Sequence, residues 1–241
     1  MPTTATSRSK KKRVRTGVSQ PPTPEQKRHA RTIYTRLRKA FPDATCALTH
    51  RDPFELLMAT ILSAQCTDVR VNMVTPDLFR KYPDPKAMAN AELSDLENLI
   101  RTTGFFRNKA KSLKHASTTI RSEHRGRVPD TMDELTRLPG VARKTANVVL
   151  GNAFGKNEGV VVDTHVSRLS QRMGLSKHKD PIRIERDLMT LFTRASWTLL
   201  SHLLIFHGRQ VCQARKPHCD DCALADICPK VGVPKTSRRA D

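Results

Sequence analysis

Apolar residues recur at three- and four-residue spacing through most of this chain, and almost nowhere do they alternate strictly. That rhythm restricts each segment to a helix with one buried face. Phe54, Leu57, Met58, Ile61 and Leu62 follow it after Asp52-Pro53, a carboxylate cap with proline in the first turn. Leu93, Leu96, Leu99 and Ile100 repeat it after Asn90, and Ala146, Val149, Leu150 and Ala153 after a glycine turn. Leu188, Leu191 and Phe192 follow Asp180-Pro181, and Leu199, Leu200, Leu203, Leu204 and Phe206 make a strongly apolar final helix. Val160-Val161-Val162 is too short to count as a strand. Short turns marked by Pro or Gly join these segments, so the chain is expected to be all-α. Its 241 residues can bury one sizeable core, or two modest cores that share an interface.

Lys and Arg number 43 against 23 Asp and Glu, a formal charge of +20. Such an excess favours a polyanionic partner, because every phosphate contact releases condensed counterions. A membrane surface is also anionic, but the chain has no lipidation signal and no long apolar span, so no membrane partner is expected. Residues 1–22 hold six basic residues, Lys10-Lys11-Lys12-Arg13 among them, and no acidic one. With Ser, Thr and Pro filling the rest, this reads as a disordered basic arm, and residues 231–241 as a shorter tail of the same kind. No cleavable apolar stretch follows the start methionine, which points to the interior of a cell.

Four of the six cysteines, Cys212, Cys219, Cys222 and Cys228, fall within seventeen residues. They are too close for ordinary disulfide staples and well spaced for a metal. Soft thiolates at this density suit Zn²⁺ or an iron–sulfur cluster, and spacing alone does not choose between them. Cys46 and Cys66 stand alone in apolar or small-residue surroundings, where buried inert thiols are the usual outcome.

The sharpest catalytic candidate is Lys144. Asp133 to Leu138 reads as one short helix and Arg143 onward as the next, with Pro139-Gly140 turning between them. Gly140 lacks a Cβ, so its backbone can approach a phosphate, and the amides opening the second helix point at that phosphate. An amine with an ordinary pKa of about 10.4 is protonated at neutral pH and cannot attack; its pKa must fall or a base must take its proton. Asp163, nineteen residues on and opening another helix to Met173, supplies a carboxylate for that work. Taken singly, a lysine at a helix start is usually a solvated charge, and an aspartate there is usually an N-cap.

Together, the run from Leu138 to Leu150 and Val162-Asp163-Thr164-His165 resemble the endonuclease III branch of the helix-hairpin-helix DNA glycosylases. Leu62-Ser63-Ala64-Gln65-Cys66-Thr67-Asp68, Gly104-Phe105-Phe106-Arg107-Asn108-Lys109-Ala110 and Phe206-His207-Gly208-Arg209 resemble further segments of that family, in order, over roughly residues 25–229. The resemblance implies a bifunctional DNA N-glycosylase and AP lyase of base excision repair. Lys144 would expel an oxidised pyrimidine such as thymine glycol, form a Schiff base with the opened sugar and cut the strand by β-elimination. Asp163 would be the second essential residue. The partner would be double-stranded DNA bearing damaged pyrimidines or abasic sites, and the enzyme a monomer. The target base must leave the stack. The resemblance makes Gln65 and Phe105 the residues that fill the gap, with Leu138, Gly140 and position 142 in the phosphate-binding hairpin. It also makes the four cysteines ligands of a [4Fe–4S] cluster and Lys216 a contact to the DNA backbone. His165 carries no role beyond hydrogen-bonded structure.

One residue departs from the family pattern. Its hairpin has glycine at the third and fifth positions, and the fifth here is Ala142. If that position needs positive φ, alanine costs something; if it needs only a small side chain, alanine passes. The expectation is modestly weaker phosphate binding than in Ala142→Gly.

Three rival readings remain, one of them a Zn-binding nucleic-acid module, which would be colourless when purified where a cluster is brown. Monofunctional adenine glycosylases of the same superfamily lack a lysine at the Lys144 position and carry a further C-terminal domain, whereas thirteen residues follow Cys228 here. A catalytically silent iron–sulfur protein that marks damage is a second rival, and intact Lys144 and Asp163 give no reason to prefer it. The expected architecture is two helical domains flanking a DNA cleft. Residues 46–156 would form a helical barrel ending in the hairpin, and 23–45 with 157–230 the cluster domain. Lys144 and Asp163 would face each other across the cleft. The expected location is the cytoplasm around the nucleoid in a bacterium, or the nucleus or an organelle in a eukaryote.

Overall fold

The computed structural model describes residues 21–233, so the basic arm and the C-terminal tail lie almost wholly outside the described residues. Eleven α-helices and two short 3₁₀ turns make up the described chain, with no strand among the described residues. The helices are α1 (Pro24–Ala40), α2 (Pro53–Leu62), α3 (Asp68–Lys81), α4 (Pro85–Ala89), α5 (Leu93–Leu99), α6 (Phe106–Glu123), α7 (Met132–Arg137), α8 (Arg143–Ala153), α9 (Thr164–Arg172), α10 (Pro181–Leu191) and α11 (Trp197–Gln210).

Their starts are written in cap chemistry. Thr23, Asp52, Thr67, Asp84, Thr131, Asp163 and Asp180 each accept a hydrogen bond from a backbone amide in the first turn that follows. Each such cap satisfies a donor that would otherwise be orphaned, a contribution of about 1 kcal/mol. Pro24, Pro53, Pro85 and Pro181 open four of these helices, where a missing N–H costs nothing. Asn90 ends α4 rather than opening the next helix, and α5 starts at Leu93 behind Glu92.

Two apolar cores form. In the first, every residue of α2 from Phe54 to Leu62 is buried, which makes α2 the central helix. Helices α3, α6 and α8 pack around it, α4 and α5 lie on α6, and α7 lies on α8. The second core gathers Ile33 and Leu37 from α1, Val166 and Leu169 from α9, Ile184 and Leu188 from α10, and Leu200 and Leu204 from α11. Leu224, from the loop after α11, closes it. Each fully buried Leu or Ile stabilises its core by roughly 2 kcal/mol. The chain thus begins in the second core, leaves to build the first, and returns.

The cores meet where α8 crosses α11. A Cβ on Gly151 would lie 2.3 Å from Thr198 Oγ1, so the helices touch there because α8 has no side chain at that point. Asn157 Oδ1 accepts from Thr198 N and Oγ1 at 3.0 and 2.6 Å, and Ser201 Oγ accepts from Val161 N at 3.0 Å. The 160–162 valines therefore run along α11 as buried loop; Val160 and Val162 join the second core and Val161 lines the cavity beside it.

His202 of α11 adds a polar bond to the same seam. Its Nε2 donates to Asn152 Oδ1 at 2.7 Å, and burial pushes its pKa down from 6.5 to about 4. The folded protein keeps this ring neutral while an unfolded chain would protonate it. The stabilisation is therefore full above pH 6.5 and is lost as pH falls from 6.5 towards 4. Between pH 7 and 5 the native chain should lose about 2 kcal/mol more in urea unfolding than His202→Gln, which keeps a donor but does not titrate.

Candidate functional site

The turn between α7 and α8 is anchored from below. Leu138 and Val141 are buried, and Val141 N donates to Leu138 O at 3.1 Å. Gly140 has φ +81°, and a Cβ there would sit 2.8 Å from Ser112 Cβ of α6. The turn thus needs glycine both for its handedness and for its closeness to α6. Ala142 follows with φ −90° and ψ 168°, an extended conformation open to any residue. It is exposed, and as N-cap of α8 it provides no side-chain hydrogen bond. The amides of the first turn of α8 are therefore left to an outside acceptor, which is what an anion requires. The expected penalty of alanine at this position is corrected by the same geometry: φ is negative, so alanine adds no strain.

Lys144 stands exposed in that first turn, and its Nζ has no hydrogen-bond or ion-pair partner among the described residues. Asp163 caps α9: Oδ1 accepts from Val166 N at 2.8 Å, and Oδ2 is unpaired among the described residues. The cap reading of Asp163 and the catalytic one are thus compatible, because a carboxylate has an oxygen for each. Both residues line one cavity of about 120 Å³, Lys144 from the first core and Asp163 from the second. Asn152, Ser201, His202 and the Asp68–Arg209 ion pair, at 2.5 Å, complete its walls. A wider groove of about 680 Å³ runs beside the start of α2 and the 123–130 turn; neither Lys144 nor Asp163 borders it.

Gln65 and Phe105 share an unusual backbone. Both are left-handed, with φ 52° and 47°, and both are exposed, Phe105 by 66%. A non-glycine residue in this region costs about 1–3 kcal/mol and persists where the surroundings enforce it. Lys109 of α6 supplies part of that enforcement: its buried Nζ donates to Thr103 O at 2.7 Å, and burial lowers its pKa. Phe105 takes no part in the core; its neighbour Phe106 packs on the first core instead.

The four clustered cysteines are free and half-buried around one pocket that Arg172 and His207 also border. Burial, with the neighbouring cysteines adding to it, pushes the Cys222 and Cys228 thiols up. Positive charge at the centre would reverse that, as in metal–thiolate sites. Arg172 Nη1 donates to Cys212 Sγ at 3.3 Å and to Gln213 O at 2.7 Å, and Leu224 N donates to Cys222 Sγ at 3.4 Å. Among the described residues no three Cys, His, Asp or Glu side chains gather tightly enough to hold one metal ion. Lys216 is exposed on this loop, while Arg209 lies in the last turn of α11 and is tied to Asp68.

Cys46 and Cys66 are half-buried rather than buried. Cys46 borders the Lys144 cavity, and burial raises its pKa. His165 Nδ1 lies 3.2 Å from Arg168 Nη2, which also donates to Gly208 O and Cys212 O. Sequence reasoning does not pick out Glu185, Asn152 or His202. The signal for Glu185 is a carboxylate within the apolar stripe of α10, beside Ile184 and three before Leu188.

Residues 58–194 match the model of the HhH-GPD superfamily of base excision DNA repair proteins, and the chain belongs to that superfamily. Within it, the chain belongs to the endonuclease III family. It is 57% identical over 204 residues to endonuclease III of Synechocystis sp., covering 85% of this chain and 93% of that one. It is 46% identical to endonuclease III of Bacillus subtilis, covering 78% and 86%. The fold superposes on a trapped endonuclease III–DNA covalent intermediate with TM-score 0.81 at 43% identity, covering 85% and 96%. It also superposes on a thermostable thymine-DNA glycosylase with TM-score 0.76 at 22% identity, covering 84% and 96%, a likeness of fold alone.

Gly140→Ala should weaken binding to a duplex carrying a non-cleavable abasic analogue by about tenfold, since it combines positive φ with a contact on Ser112. Ala142→Gly should leave that affinity within a factor of two of the native chain, by titration at fixed salt, because the extended backbone there accepts either residue.

Proposed function

We propose that this chain is a bifunctional DNA N-glycosylase and AP lyase of base excision repair, acting on oxidised pyrimidines and abasic sites in duplex DNA. The observation that carries the reading is the shared cavity: an unpaired amine from one core and a half-free carboxylate from the other, beside a hairpin whose amides are open to phosphate. Family membership and the likeness to DNA-bound endonuclease III support it. No helix among the described residues is long and apolar enough to cross a membrane.

The chemistry follows from the residues. The duplex lies against the first turn of α8, where backbone amides and Gly140 hold phosphates without reading sequence. Phe105 and Gln65, already fixed in exposed left-handed turns, enter the stack vacated by the flipped nucleotide. Lys144 Nζ, freed of a proton, attacks C1′ of that nucleotide; the bond from C1′ to the base breaks, and the base departs with the electron pair. Asp163 Oδ2 either takes the proton of the amine or, while ionised, offsets positive charge on the sugar; its Oδ1 stays on the α9 cap. Ring opening gives an imine between Nζ and C1′. Loss of a C2′ proton then expels the 3′ phosphate, and water releases the amine. Covalent catalysis of this kind splits one hard step into several easier ones.

Cys212, Cys219, Cys222 and Cys228 would hold a [4Fe–4S] cluster. Four half-buried thiols bordering one pocket are a soft donor set that fits such a group. When bound, the cluster supplies a cross-link that stiffens the loop carrying Lys216. The location we propose is the bacterial cytoplasm around the nucleoid.

On a duplex with one thymine glycol, borohydride should trap a covalent adduct with the native chain and none with Lys144→Ala. Base release without an adduct would make the enzyme monofunctional, and neither would leave a silent binder. Lys216→Ala should weaken binding to every duplex alike and flatten the plot of log K against log salt by about 0.9, one phosphate contact. An unchanged slope would remove Lys216 from the DNA interface.

A further inference from the structure

One charged group lies deep in the molecule and outside the chemistry above. Glu185 of α10 is 8% exposed and belongs by position to the second core. Its carboxylate reaches across to α8, the helix of the hairpin. Arg143 donates to it from Nε at 3.1 and 3.2 Å and from Nη2 at 3.0 Å, and Asn147 donates from Nδ2 at 3.0 Å. The backbone makes room for it: a Cβ on Gly159 would stand 2.0 Å from Glu185 Oε1 and 2.5 Å from Asn147 Nδ2. Asn147 spends its amide on this contact and leaves Oδ1 buried without a partner.

The bridge sits where it matters for geometry. Arg143 is the first residue of α8 and Lys144 the second, so a fork held on Arg143 fixes the turn that carries the amine. Asp163 caps α9, and α9 packs on α10. Glu185 therefore ties the Lys144 turn to the same body of helices that holds Asp163. It also occupies the guanidinium of Arg143, a cation half exposed at the mouth of a phosphate-binding helix start.

We propose that Glu185 is a positioning residue for Lys144: it sets the amine's place across the cleft from Asp163 and withholds Arg143 from DNA phosphates. This rests on the reading of Lys144 as the nucleophile. The two parts of the proposal give a signature that loss of packing does not. Removing only the charge should slow the chemistry while leaving affinity intact or raising it.

Glu185→Gln is the suitable variant. Its amide oxygen can still accept from Asn147, but its amide nitrogen sets a donor against an Arg143 donor, so the packing survives while the hold on Arg143 is loosened. On an abasic duplex, with enzyme saturating, the borohydride-trapping rate should fall about tenfold, the scale expected for a misplaced reacting group. Binding to a duplex with a non-cleavable abasic analogue should be unchanged or tighter, and its salt slope steeper by about 0.9 as Arg143 finds a phosphate. A trapping rate equal to that of the native chain would overturn the proposal. So would a rate and an affinity that fall together with the melting temperature, which would make the bridge scaffolding. Absence of trapping by the native chain would defeat the Lys144 assignment itself, and the positioning role with it.

Discussion

Helix α8 is pressed from both sides, and most of the molecule is arranged around that fact. Ala146, Val149 and Leu150 face the first core, while Asn147, Gly151 and Asn152 face the helices of the second. A helix in that position can afford little bulk on its second face. Gly151 leaves space for Thr198, and Gly159, in the loop that follows α8, leaves space for Glu185. The contacts on that face are polar: Asn147 to Glu185, Asn152 to His202. Directional bonds fix a rotation about the helix axis that oily contacts would leave loose. The rotation of α8 decides where the side chain of its second residue points, and that residue is Lys144.

Much of this was legible from residue patterns alone. Cap-plus-proline pairs such as Asp52-Pro53 and Asp180-Pro181 mark true helix starts, and the apolar rows that follow them are the buried faces. Helices α1, α3 and α6 are harder to read from periodicity. Their buried stripes are narrow, as in Ala30, Ile33 and Leu37 of α1, and α3 carries Pro76 inside it and exposes Val69 and Met73. Local rules describe a helix; they do not say which distant helix it meets. Lys144 and Asp163 stood out because each opens a helix in a recognisable motif. Glu185 lies within the apolar stripe of α10 and His202 within α11, and their importance exists only once they meet α8.

Strain and satisfaction divide the surface in an informative way. Most helix starts here are closed by their own side chains, and the start of α8 is left open by an alanine. The non-glycine residues in left-handed backbone include Gln65 and Phe105, which stand exposed on neighbouring loops. An unsatisfied donor set and a pair of strained turns are costs in the free protein. They become gains only when something fills them, so the free protein is less content on this face than elsewhere.

The path of the chain through its two cores has a consequence for biogenesis. The first core draws on Leu48 through Leu150, an unbroken stretch that can condense as soon as it leaves the ribosome. The second core needs Ala30 and Ile33 to meet Leu200 and Leu224. Helix α1, although synthesised early, must therefore wait with its apolar stripe uncovered until almost the whole chain has been made.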